Sequence, residues 1–295
     1  FSRAIDIEPN HAVAHNNMGN VLKDQGKFEE AIEAFIKAID LKPDYAEAYS
    51  NMGVTLQEQG KFEEAIEAFI KAISIKPDYA DAYNNMGITL KNQGKFEEAI
   101  EAYTKAISIK PDHAEAYINM GNAIKGAIFS KPNRDLQNTI LSLLNKERYV
   151  QPKDIAKASI NLLKLEPILQ NHLQSGDSNV IENPSEIMLD LSKFSLLLKL
   201  MSVCPLPDQE VEKLLKNLRY AILLNIVEID DVTPDLLRFQ SSVALQCFTN
   251  EYVYNHTDEE ERILQSLDVG VKNAFENNSQ PSPQVILALA SYKAL

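Results

Sequence analysis

Residues 53–86, GVTLQEQGKFEEAIEAFIKAISIKPDYADAYNNM, run straight into residues 87–120, GITLKNQGKFEEAIEAYTKAISIKPDHAEAYINM. Laid one over the other, they agree in residue type at nearly every position. The same step of 34 residues reaches back towards the start of the chain. A single globular core gives no reason for such a period. A stack of like units does, because each unit buries its apolar face only against its neighbours. The sequence therefore predicts an all-α chain. An α-solenoid of helix pairs spans 1–126, with units at 12–45, 46–79 and 80–113, a partial unit at 1–11 and a divergent one from 114.

The agreeing positions are those a helix-turn-helix unit needs for packing. In unit 46–79 they are Tyr49, Met52, Gly53, Leu56, Ala65, Phe69, Ala72 and Pro77. Gly53 and Ala65 are small so that two helices can approach closely. Gly60 suits a left-handed turn after the first helix, and Pro77 stops the second. This pattern resembles the tetratricopeptide repeat, with Met where Leu is usual, and the resemblance implies a helical solenoid that binds proteins. Phe1, Ala4 and Pro9 fit the second half of a unit, so the chain is expected to be a fragment that begins inside a repeat. Tyr117, Met120, Gly121 and Ile124 open a fourth unit, whose second helix is sought near Asp135 to Lys146.

The 42 acidic against 29 basic residues give a net charge of −13, spread over both halves, which disfavours nucleic acid and anionic membranes as partners. Neither a signal peptide nor an apolar stretch of membrane length is present, so a soluble cytoplasmic protein is expected. Cys204 and Cys247 lack metal-ligand spacing and read as buried free thiols.

Residues 127–295 read as a second, all-helical domain of five or six helices, truncated at its carboxyl end. Helix starts are marked by Asn183-Pro184 with Glu186, by Thr233-Pro234, by Thr257 with Glu260, and by Ser282-Pro283. SLLLKLM and YAILLNIV are placed at its centre. The final helix, through Leu287 and Leu289, is expected to lack a partner, as is the half-repeat at Phe1, so weak self-association through these ends is anticipated. The stretches 205–224, 239–267 and 286–295, with Asn250-Glu251-Tyr252-Val253 their most specific part, resemble the segment joining tetratricopeptide repeats to the catalytic domain in a bacterial family of S-adenosylmethionine-dependent methyltransferases. The resemblance implies an enzymatic parent whose catalytic domain lies beyond Leu295, or a helical domain that contributes to its active site. No glycine-rich nucleotide loop is present, and no catalytic residue, cofactor or metal ligand is assigned.

An asparagine recurs before each Met-Gly pair, at Asn17, Asn51, Asn85 and Asn119. One amide per unit on one helix face offers a donor and an acceptor, the complement of a peptide group, and such a row can hold an extended chain by its backbone. The pattern resembles the asparagine ladder of the O-linked N-acetylglucosamine transferase family, which implies a peptide groove on the inner face. Asn16, Asn20, Asn84, Asn122, Lys23, Lys91 and Lys125 would flank it. The alternative is that the asparagines cap or bridge adjacent helices within the stack. The histidines His11, His15, His113, His172 and His256 read as packing or surface residues. The acidic runs at Asp230-Asp231 and Asp258 to Glu261 read as helix starts, and Lys27, Glu29, Glu30 and their repeats as a solvated face. The expected partner is a protein or peptide.

Overall fold

A computed structural model of the protein describes residues 11–146, 148–175, 181, 183–226, 233–249 and 257–292. The described residues form helices and connecting turns, without strands. The chain divides into two compact units, Phe1–Ala127 and Ile128–Leu295.

In the first unit the helices come in pairs: α1 (Ala12–Asp24) with α2 (Phe28–Leu41), α3 (Ala46–Glu58) with α4 (Phe62–Ile75), and α5 (Ala80–Asn92) with α6 (Phe96–Ile109), followed by α7 (Ala114–Gly126). Each hairpin closes because Gly26, Gly60 and Gly94 adopt φ of 75°, 77° and 78°, a conformation that costs a residue with Cβ. The residue after each glycine then donates its N–H back into the first helix, as Lys61 does to the Leu56 carbonyl at 2.9 Å. Within a pair the helices meet at a glycine and a ring. A Cβ on Gly19, Gly53 or Gly87 would lie 2.6, 2.8 or 2.6 Å from Phe35, Phe69 or Tyr103, all fully buried. The aromatic ring fills the space that a side chain would take, which is why the two positions recur together. Alanines 31, 65, 99, 38, 72 and 106 are buried around those rings. Each second helix packs on the first helix of the next unit, and α1, α3, α5 and α7 also touch in sequence. Gln59 Nε2 donates to Glu29 Oε1 at 2.8 Å, and Gln93 to Glu63 at 2.7 Å. Glu29 and Glu63, expected to be merely solvated, thus tie one unit to the next.

The second unit has nine helices among the described residues: α8 (Arg134–Leu144), α9 (Pro152–Leu163), α10 (Pro167–Ser175), α11 (Pro184–Ser192), α12 (Ser195–Val203), α13 (Gln209–Leu224), α14 (Pro234–Thr249), α15 (Asp258–Glu276) and α16 (Pro283–Ala290). That exceeds the five or six expected. Breaks after Leu144, at Lys164 to Glu166 and at Lys193-Phe194 divide runs that the sequence joined. The last carries neither Gly nor Pro: buried Phe194 turns the chain and accepts from Leu198 N at 3.1 Å. Three of the four anticipated starts cap their helices through a side chain, and Ser282 precedes α16 without a side-chain bond. Asn183 accepts from Glu186 N, Thr233 from Leu236 N, and Thr257 and Glu260 form a reciprocal capping box. The segment sought as a divergent repeat helix is α8, which packs on α9 and α12 inside this unit. Leu196, Leu197, Leu198, Leu200 and Met201 of α12 are buried, and α12, α11 and α16 surround α14. Leu289 is buried with Leu223, Leu264 and Tyr292, so the last helix is covered on that side by the helices before it. Phe1 lies outside the described residues. Both cysteines are free and buried, and burial pushes the Cys204 thiol up to about 11.

Candidate peptide groove

The 34-residue step and the 3.6-residue helical turn together put one asparagine column on the first helices. Asn17, Asn51, Asn85 and Asn119 stand on α1, α3, α5 and α7, each half-buried. Asn16 and Asn84, one residue earlier, are only 5% and 2% exposed. Their amide oxygens accept from the next unit: Asn51 Nδ2 donates to Asn16 Oδ1 at 3.0 Å, and Asn119 Nδ2 to Asn84 Oδ1 at 3.1 Å. Asn51 and Asn119 therefore bridge adjacent helices through Asn16 and Asn84, which were expected to flank the groove and are instead buried in the stack. Asn51 and Asn119 each keep a second N–H and the amide oxygen.

The bridge recurs at alternate junctions for a chemical reason. At the junction between them, position 50 holds Ser50 in place of the asparagine of positions 16 and 84. Asn85 accordingly makes no side-chain hydrogen bond within the described residues, and neither does Asn17. The column alternates between amides held by the neighbouring unit and amides with their full bonding capacity left.

Around it lie Asn20, half-buried, and Asn122, exposed, with Val54 and Ile88 at the same step between them. Lys23, Gln57, Lys91 and Lys125 form a parallel column one turn on. Lys23 sits 3.7 Å from Asp24, and Gln57 accepts from the buried Thr89 hydroxyl at 2.6 Å. The face is cationic and polar at its ends and apolar in its middle. Thr55 and Thr89, both buried, were not legible as stack residues: each hydroxyl returns to the carbonyl four residues back, and Thr89 also reaches across to the previous unit.

The remaining candidates are dispersed. His11 caps α1 through Nδ1, buried His113 lies 3.2 Å from Asp81, and His172 lies 3.0 Å from Asp190. No group of three or more metal-ligating side chains assembles among the described residues. Asp258 to Glu261 occupy the first turn of α15, whereas Asp230-Asp231, Asn250 to Val253 and His256 lie outside the described residues. No helix among the described residues is long and apolar enough to cross a membrane.

Family models described as tetratricopeptide or TPR repeats match residues 1–33, 19–60 and 44–112. Among solved structures, MamA is 31% identical over 49% of this chain and 81% of its own, with a TM-score of 0.42. The first TPR of Spaghetti (RPAP3), bound to the HSP90 peptide SRMEEVD, is 26% identical over 38% of this chain and 90% of its own, with a TM-score of 0.37. The Arabidopsis OM64 TPR domain is 20% identical over 40% and 97%, with a TM-score of 0.39. No curated protein matches the chain.

Proposed function

We propose that this chain, a tetratricopeptide-repeat protein over residues 1–112, holds an extended segment of a partner protein along the face of α1, α3, α5 and α7. The observation that carries the reading is Asn85: a half-buried side-chain amide in the middle of a periodic column, with no side-chain hydrogen bond among the described residues. Removing a half-buried amide from water is costly unless a ligand supplies the bonds, and a peptide group supplies one donor and one acceptor. Asn51 and Asn119 are oriented by Asn16 and Asn84 and meet the next peptide groups without further ordering. Lys23, Lys91 and Lys125 bias the choice towards segments carrying carboxylates. The resemblance of the carboxyl half to a methyltransferase-linking segment gives the recruited segment a destination, presentation to an enzyme.

Selection from a library of random short peptides on the immobilised chain tests this. Bound sequences are expected to be rich in Asp and Glu, and Asn85→Ala is expected to weaken them by about 1–2 kcal/mol with helicity unchanged. A library that yields no binder, or binders indifferent to Asn85, contradicts the proposal.

A further inference from the structure

On the side of α3 away from the asparagines the array opens a second groove, of about 690 Å³. Its walls are the second helices of two successive units, α2 and α4, and its floor is α3. Ile32 and Ile36 come from one wall, Ile70 from the other, and Tyr49, Met52 and Leu56 form a stripe along the floor. The helical turn puts Asn51 on the opposite side of α3 from that stripe.

Ile36 and Ile70 are 47% and 54% exposed. They are the same repeat position one unit apart, and the third unit carries Thr104 there, its hydroxyl bonded to the Ile100 carbonyl. Since a threonine serves the fold at that position, the exposed isoleucines are not required by the repeat itself. The groove between α2 and α4 is apolar as a local feature.

Two further facts define its occupant. The walls and floor are helices whose backbone groups are already bonded, so an occupant must satisfy its own backbone, which a helix does and an extended segment does not. The charged side chains lining the groove are Glu64 and Glu67 against a single Lys71. A second copy of this chain, at −13 and with a Glu pair opening α2, α4 and α6, would repel itself there. We propose that this groove docks an amphipathic helix of a partner protein, its apolar stripe on Ile36, Ile70 and Met52 and its flanks carrying lysine or arginine.

The test titrates the full chain with fluorescently labelled peptides of about four helical turns: leucines at i, i+3, i+4 and i+7 with lysines elsewhere, the same composition scrambled, and the same pattern with glutamates for lysines. The patterned lysine peptide is expected to bind at least about tenfold tighter than either control. Ile36→Gln with Ile70→Gln should abolish that advantage. Glu64→Lys with Glu67→Lys should transfer it to the glutamate peptide. The same swap one repeat on, Glu98→Lys with Glu101→Lys, should leave it within about twofold. Equal binding of the scrambled peptide, indifference to Ile36 and Ile70, or an equal effect of the Glu98 and Glu101 swap would overturn the proposal. So would a dimer in sedimentation that the isoleucine variants dissolve, since the occupant would then be a second copy.

Discussion

Gly53 carries more of this fold than any apolar residue beside it. Its missing Cβ is replaced by the Phe69 ring, 2.8 Å from where that atom would stand, and neither partner has room to shift in a core of fully buried alanines. Gly53→Leu is expected to cost about 2–4 kcal/mol, whereas Lys61→Ala, at an exposed position, should cost under about 0.5 kcal/mol. Urea unfolding of the two variants checks the difference, and equal midpoints would show that the glycine is not the contact point. Residues of this kind were legible because their cause is geometric and recurs every 34 positions. The polar ties were not. Asn16 differs from Asn17 by one position in sequence, but only the placement of α1 beside α3 decides which of them is buried against Asn51. Asn16→Ala should therefore destabilise the array by about 1 kcal/mol and Asn17→Ala by under about 0.5 kcal/mol, read from thermal melts.

At the scale of elements, the starts at Asn183, Thr233 and Thr257 were readable from their capping residues, whereas Pro152 and Pro167, which open α9 and α10, were passed over, and the break between α11 and α12 shows the limit. A turn made by a buried Phe194 has no compositional signature. The capping box of α15 was legible, but not the network it enters. Glu260, buried, accepts from Thr257 N at 2.7 Å and from the Tyr292 hydroxyl at 2.6 Å. The Arg219 guanidinium lies 4.1 Å from the Tyr292 ring centre and donates to the Ser291 carbonyl. Burial pushes the Glu260 carboxyl up, but the Tyr292 and Thr257 bonds and the nearby guanidinium outweigh it and hold the group below its ordinary 4.5. A depressed carboxylate stabilises the fold fully above its unfolded value, and that contribution is lost as pH falls through the folded one. The second unit should thus lose stability in acid below about pH 4.5. Glu260→Gln should lower its melting temperature at neutral pH and narrow the gap to the parent at pH 3. A constant gap between the two chains across that range would contradict the linkage.

For the whole molecule, the period of 34 fixed the architecture of the first unit, while the second, without a period, was legible only as helical. The candidate site divides the same way. The step of the repeat gives the asparagine column directly, but which amides are bridged depends on positions 16, 50 and 84, where the repeat varies as Asn, Ser and Asn. The outer groove was missed altogether, since Ile36 and Ile70 look like ordinary helix residues until the helices that flank them leave a gap. The central claim is that these amides hold a peptide by its backbone, and a double-mutant cycle addresses it most directly. A selected peptide, and the same peptide N-methylated at the residue facing Asn85, are titrated by calorimetry against the parent chain and Asn85→Ala. The account predicts a coupling of about 1 kcal/mol or more, with N-methylation weakening binding to the parent but not to the variant. Equal losses in both chains, giving no coupling, would contradict it.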